Sequence, residues 1–270
     1  MISHILYSVD NLFPSRKHIM YEVTSEIYSE TDFQTTNSSD GKIVSTFKFV
    51  YPTEVRSATK DKDGDFEVEL LKLVGLQVWR GALLLADFIF TNRKEFQNYE
   101  ILELGAGVGL TSIAAAIYSK QVFCTDINLG GILETISSNV KRNKSIIKNP
   151  MSVLEFDFKA ETYAEELKEA INKSDIVIAA DVIYDDDLTD CFIRVTDILL
   201  QNPKKKTVYI ALEKRYVFTL SDLETVAPCF EYFLTKISKK PWKVNYIPID
   251  FPQYFTYKRC KDLVLLKIEI

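Results

Sequence analysis

The 270-residue sequence has no cysteine pair at CxxC spacing, no apolar run long enough to cross a bilayer and no concentrated basic block. Its four cysteines, Cys124, Cys191, Cys229 and Cys260, lie far apart. That spacing gives no zinc ribbon, disulfide scaffold or other metal site, and it fits a reducing compartment, the cytoplasm or nucleus. A spanning helix needs about 18 consecutive apolar residues, whereas the most apolar stretch, 82–90, is short and carries Asp87. Residues 1–11 offer no basic leader, so neither a membrane anchor nor a secretory signal is expected. With 33 basic against 38 acidic side chains the net charge is −5, which argues against a dedicated nucleic-acid binder. The Lys204-Lys205-Lys206 run reads as a solvated turn. What remains is an ordinary globular composition, 47% hydrophobic, long enough to bury a core without staples. A monomer is the default expectation.

Residues 25–42 are rich in Ser, Thr, Asp and Asn without apolar periodicity, which reads as a mobile loop. Segments 43–51 and 66–71 alternate around a polar Lys60-Asp61-Lys62-Asp63-Gly64 turn, predicting a β-hairpin within an N-terminal extension, 1–72. In 77–91, Trp79, Leu83, Ala86 and Phe90 recur at helical spacing, so a helix leads into the main domain, 73–270. From residue 100, short apolar runs (100–104, 122–126, 152–156, 176–180, 207–212) alternate with helical patterns (110–118, 132–143, 163–172, 188–200, 222–234). That alternation predicts an α/β fold with parallel strands joined by helical crossovers. Two β-rich runs, 241–248 and 263–270, have no helix between them and predict a terminal antiparallel pair.

The sequence Ile101-Leu102-Glu103-Leu104-Gly105-Ala106-Gly107-Val108-Gly109 is an apolar strand entering a glycine turn. Glycine there permits unusual dihedrals and lets a ligand approach the main chain. Dinucleotide enzymes prefer G-x-G-x-x-G; here the spacing is G-x-G-x-G and Leu110 takes the last position of that pattern. With acidic Glu103 ahead of it, the turn suits a cofactor that is cationic and lacks a pyrophosphate, as S-adenosyl-L-methionine is. Asp126 closes the second strand, where a carboxylate can accept from both ribose hydroxyls. The competing reading is a glycine helix cap beside a surface Asp.

This turn, the Leu76-Gln77-Val78-Trp79 segment and Ala180-Asp181-Val182-Ile183-Tyr184 after the fourth strand together resemble methyltransferase family 16. These are seven-strand protein-lysine methyltransferases, and the resemblance covers residues 73–213. It implies a Rossmann-like, class I methyltransferase sheet of seven strands with terminal antiparallel strands, and a protein substrate presenting a lysine. It also implies that Trp79 contacts the cofactor, that Gly105, Ala106 and Gly107 lie beneath its methionine portion, and that Asp126 binds the ribose. Ala180 matches the small residue facing the cofactor. Phe158, after Asp157, stands where relatives carry a tryptophan near the adenine; it keeps the stacking face and loses the indole donor. Asp181 and Tyr184 would be the catalytic pair, holding the lysine ammonium; Glu213, Arg215 and Tyr216, after the fifth strand, fall on the ligand side by topology, either as substrate contacts or as a plain charged loop. Blander roles stay open: Trp79 as a core aromatic, Tyr184 as packing, Asp181 as a helix cap. Rival functions are a nicotinamide oxidoreductase, a catalytically silent interaction module, and methylation of a nucleic acid or small molecule.

Overall fold

The computed structural model describes residues 25, 27–30, 34–37, 43–52, 63–69, 77–219 and 224–270. A one-turn helix, α1 (Ile27–Glu30), precedes three strands, β1 (Gln34–Asn37), β2 (Ile43–Val50) and β3 (Asp63–Glu69), which form an antiparallel sheet in that order. The predicted hairpin is therefore present as β2 and β3; positions 60–62 of its turn lie outside the described residues. The predicted loop over 25–42 is corrected, because it contains α1 and β1. β1 reads Gln-Thr-Thr-Asn and pairs antiparallel with β2. A polar edge strand of this kind takes its register from its neighbour and needs no apolar period of its own.

The next helix, α2, runs from Arg80 to Thr91 (Arg80–Thr91) and is followed by a single turn, α3 (Arg93–Phe96). Trp79 is not helical as the periodicity predicted. It sits extended at the N-cap (φ −115°, ψ 157°) without a side-chain cap bond. Positions 83–90 are all buried, because α2 packs on the main sheet and touches the N-terminal strands through Phe90. Phe90 meets Phe49 of β2 edge-on at 5.4 Å and Phe255 at 5.6 Å. Full burial of a phenylalanine contributes about 1.5–3 kcal/mol, so the N-terminal strands and α2 share one core.

Asp87 is fully buried within this apolar helix. Its carboxylate accepts from the amides of Tyr254 (2.7 Å) and Phe255 (3.1 Å), the Tyr257 hydroxyl (2.9 Å) and Arg259 Nη2 (2.7 Å). A buried charge is tolerable only when paired and hydrogen-bonded in this way. The same segment reaches β2, whose Val50 amide donates to the Tyr254 carbonyl at 3.0 Å.

The main sheet takes β4 (Glu100–Leu104), β5 (Gln121–Asp126), β6 (Met151–Glu155), β7 (Ile176–Ala180), β8 (Thr207–Glu213), β11 (Lys243–Tyr246) and β12 (Leu263–Glu269). Between them run α4 (Leu110–Ala116), α5 (Ile132–Arg142), α6 (Glu165–Lys173), α7 (Asp186–Leu200), the short hairpin of β9 (Val217–Thr219) with β10 (Glu224–Val226), and α8 (Pro228–Ile237). The strand order is β11-β12-β8-β7-β4-β5-β6. β12 runs antiparallel to both β11 and β8, as predicted for the terminal pair, and the β4, β5, β6, β7 and β8 ladders are parallel.

Helix boundaries shift from expectation by one to six residues, and two of the shifts have a plain local cause. The predicted helix over 222–234 begins only at Pro228, because proline fits the first helical turn and disfavours helix in the residue before it. α7 starts at Asp186, ahead of the predicted Leu188; the Asp185 side chain caps it by accepting the Leu188 amide at 2.8 Å. Strand order reverses between β4 and β7, and ligands in such sheets bind beyond the carboxyl ends of the strands at that point.

Candidate active site

The glycine turn follows β4 at this crevice. Gly105 and Gly107 have φ of 66° and 57°, a region costly to side chains with a Cβ. At Gly105 a Cβ would also stand 2.8 Å from Val182 Cγ1. The Ala106 amide donates to the Thr125 carbonyl (3.0 Å) and the Gly107 amide to Asp126 Oδ2 (2.7 Å). Two of the turn's amides are thus committed inside the protein, where a pyrophosphate cradle would present them to the ligand. Asp126, at the end of β5, also accepts the Ile127 amide on Oδ1 at 2.7 Å. It is half-buried, and burial pushes its carboxyl up to about 6. Each of its oxygens retains acceptor capacity toward the crevice.

Glu103 lies elsewhere than expected. Its alternation along β4 turns it toward α4, where it is 1% exposed and accepts from the Ser112 hydroxyl. Burial raises this carboxyl to about 7 against the opposing hydrogen bonds. It stands behind the turn, tying it to α4, and does not face the crevice. Phe158 is likewise internal: 6% exposed, it packs edge-on against Phe156 (5.6 Å) and against Phe192 (5.9 Å). Its ring supports Gly105 from below, with Cζ 3.8 Å from the position of a Cβ there. Asp157 accepts the Lys159 amide at 2.8 Å in an exposed turn.

On the other side of the crevice, Ala180 ends β7 beside Ala211 of β8. Asp181 follows with φ of 52°, the one non-glycine positive φ among the described residues. Its Oδ2 accepts the Gly81 amide (2.7 Å), its Oδ1 accepts the Glu213 amide (2.8 Å), and its own amide donates to the Ala211 carbonyl (2.9 Å). The residue therefore joins the start of α2 to the ends of β7 and β8. Burial raises its pKa, with Arg215 opposing. Gly81 is required here: a Cβ would stand 2.5 Å from Asp181 Oδ2 and 2.9 Å from the Ala211 carbonyl oxygen. Tyr184 is half-buried three residues on.

Around this junction lies an ionic cluster that sequence reasoning only partly anticipated. Glu213 pairs with Arg80 (2.5 Å) and Arg215 (3.2 Å), and accepts from the Cys260 thiol at 3.3 Å. The Arg215 guanidinium lies 5.1 Å from the centre of the Trp79 ring, a cation–π contact. Tyr216 is 43% exposed. Arg80 and Gly81 were missed, although a glycine opening an otherwise apolar helix is a signal of close approach. The first turn of α2 reaches the glycine turn's own helix, since the Thr111 hydroxyl lies 3.5 Å from the Ala82 carbonyl. Trp79, Gly105, Ala106, Gly107, Asp126, Ala180, Asp181 and Tyr184 thus fall at the carboxyl end of the sheet, while Glu103 is buried against α4 and Phe158 packs between Gly105 and Phe192.

A seven-strand sheet with one reversed strand, a glycine turn at its switch point and an acidic residue closing the next strand define the methyltransferase fold that the sequence resembled. The sequence profile described as lysine methyltransferase matches residues 60–236, and the chain belongs to that family. It is 32% identical over 259 residues to Methyltransferase-like protein 22 of Mus musculus, covering 82% of this chain and 66% of that protein. Against the Homo sapiens protein of the same name the identity is 33% over 221 residues, covering 73% and 54%. Protein-lysine N-methyltransferase EEF2KMT of Mus musculus is 27% identical over 207 residues, covering 72% and 58%. The chain spans roughly half to two thirds of the length of these relatives. Among the described residues no helix is long and apolar enough to cross a membrane.

Proposed function

We propose that this chain transfers a methyl group from S-adenosyl-L-methionine to a lysine side chain of a protein substrate. The observation that carries the reading is the Asp181-to-Tyr184 segment fixed across the crevice from the glycine turn, in a chain of the lysine methyltransferase family. The residues present fit the cofactor. Gly105 to Gly107 leave the backbone open to its methionine portion, Asp126 keeps acceptors for two ribose hydroxyls, and Trp79 and Ala180 wall the far side. When bound, the cofactor supplies an electrophilic methyl on a sulfonium.

The chain's own task is alignment and exclusion of water. The acceptor lysine has an ordinary pKa of about 10.4 and must lose its proton before its nitrogen forms the new N–C bond as the S–C bond breaks. An apolar slot favours the neutral amine, and Tyr184 offers a hydroxyl and a ring face to hold it. Asp181 acts through the amides it holds, keeping the two walls of the slot in register. All four cysteines are free, which supports placing the enzyme in the cytoplasm or nucleus.

The test is incubation of the purified chain with labelled S-adenosylmethionine and a lysate from cells lacking it. Label on lysine of a protein band is expected; label in RNA, or none in protein, overturns the reading.

A further inference from the structure

The residues ahead of Trp79 are held from a distance. The Ser25 amide donates to Gln77 Oε1 at 2.7 Å, and the Val78 amide donates to the Tyr28 hydroxyl at 2.9 Å. Both bonds join positions about fifty residues apart, and they close in the interior: Ser25 is 2% exposed, Ile27 0%, Gln77 7% and Val78 1%. Trp79 itself is extended without a side-chain cap bond, and its carbonyl accepts the Ala82 amide at 3.1 Å. Its backbone is also held through the neighbours on either side. On its C-terminal side these are Arg80, paired with Glu213, and Gly81, bonded to Asp181. On its N-terminal side they are Gln77 and Val78, bonded to the segment at Ser25 and Tyr28.

We propose that Tyr28 and Gln77 are positioning residues of the active site, acting through the Trp79 backbone, so that the N-terminal segment completes the site. This rests on the reading above that Trp79 faces the cofactor. The physical reason is economical. An extended residue between two anchored neighbours has little freedom, whereas one anchored only at the helix side can swing its indole. Burial requires that the Val78 amide be satisfied, and in this structure the Tyr28 oxygen does so.

The test uses the full chain with Trp242→Phe, which leaves Trp79 as its one tryptophan. Tyr28→Phe removes the acceptor for Val78, Gln77→Leu removes the acceptor for Ser25, and Gln77→Glu keeps an acceptor oxygen. In ligand-free protein, Tyr28→Phe and Gln77→Leu are expected to shift Trp79 emission to longer wavelength and to increase its quenching by acrylamide. They are also expected to weaken S-adenosylhomocysteine binding about fivefold, the loss of one ordinary hydrogen bond, with KM for the methyl donor rising and kcat little changed. Gln77→Glu should restore emission and affinity. Unchanged Trp79 emission in folded Tyr28→Phe and Gln77→Leu overturns the inference, as does a loss of thermal stability without any change in emission or affinity. The ligand-free emission reads the anchor, and label transfer by the parent chain reads the reaction, so the two proposals fail separately.

Discussion

Replacement of Asp181 separates two roles that the sequence alone leaves merged. If its carboxylate only held an incoming ammonium, Asp181→Asn would stop transfer and leave the folded chain untouched. The structure gives a different expectation, because both oxygens accept backbone amides, from Gly81 at 2.7 Å and from Glu213 at 2.8 Å. A hydrogen bond to a charged group contributes about 1.5–3 kcal/mol. The residue is half-buried, so the lower end applies, and losing both bonds costs about 3 kcal/mol. Alanine at φ 52° adds about 1 kcal/mol of backbone strain that Asp tolerates better. Asparagine keeps one acceptor and turns an amide donor toward the other N–H, for about 2 kcal/mol. Glycine relieves the dihedral but loses both bonds. The damage should therefore rank Ala above Gly above Asn.

Urea denaturation at constant m-value reads these differences as midpoint shifts, and calorimetry with S-adenosylhomocysteine reads whether the crevice survives. We expect both to change, because the Trp79-to-Gly81 segment would lose its tie to β7 and β8. Gly81→Ala should reproduce much of the effect, since its Cβ would press within 2.5 Å of the same carboxylate oxygen. An Asp181→Asn protein with a wild-type midpoint, wild-type product binding and no transfer would refute the reasoning and return Asp181 to direct contact with the substrate.

Three further outcomes follow from the buried carboxylates. Glu103 holds its proton more tightly folded, near pH 7, than its ordinary 4.5, so its contribution to stability falls as pH rises from about 4.5 to about 7 and is level above. The full span is about 3 kcal/mol, and Glu103→Gln should remove that slope in denaturation curves taken across the window; an identical slope in the variant refutes it. For Asp126, pushed up to about 6, affinity for S-adenosylhomocysteine should be level above that pH and fall by up to about tenfold per unit below it. Calorimetry in the Glu103→Gln background isolates this, and Asp126→Asn should bind weakly without the pH dependence. Asp87→Ala leaves Arg259, the Tyr257 hydroxyl and two amides without their acceptor. It should cost about 3–5 kcal/mol, measured as loss of the folded baseline at moderate urea.

The sheet was legible because its signals are local. Each of β4, β5, β6, β7 and β8 is a short apolar run bounded by turn residues, and the glycine turn with Asp126 needs no tertiary knowledge to be read. The features that escaped are set across the sheet. Trp79 lies on a helical stripe with Leu83 and Phe90, but Asp181, a hundred positions away from Gly81, fixes where α2 begins. Tyr28 and Gln77 show no pattern, because a hydrogen bond between an amide and a side chain fifty positions distant leaves no period. Asp87 was visible only as an interruption in an apolar run; its partners at 254–259 could not be inferred from it. β1 was invisible for the opposite reason, being polar throughout.

Four acidic residues near strand ends, Glu103, Asp126, Asp157 and Asp181, were a natural place for a cationic cofactor to meet a cationic lysine, and the structure gives them four different tasks. Glu103 is behind the turn with Ser112, Asp157 stabilises an exposed turn, and Asp181 holds two backbone amides. Asp126 is the carboxylate placed at the crevice with acceptor capacity to spare. The site's charge is therefore not a pool of negative side chains awaiting a cation. Beside Asp181 it is balanced by Arg80 and Arg215 around Glu213, so in the proposed reaction selectivity for a neutral amine would rest on desolvation and alignment. On the proposed function, Asp126 would govern affinity for the cofactor and its pH dependence. Asp181, with Gly81 and the proposed N-terminal anchor at Tyr28, would set the geometry.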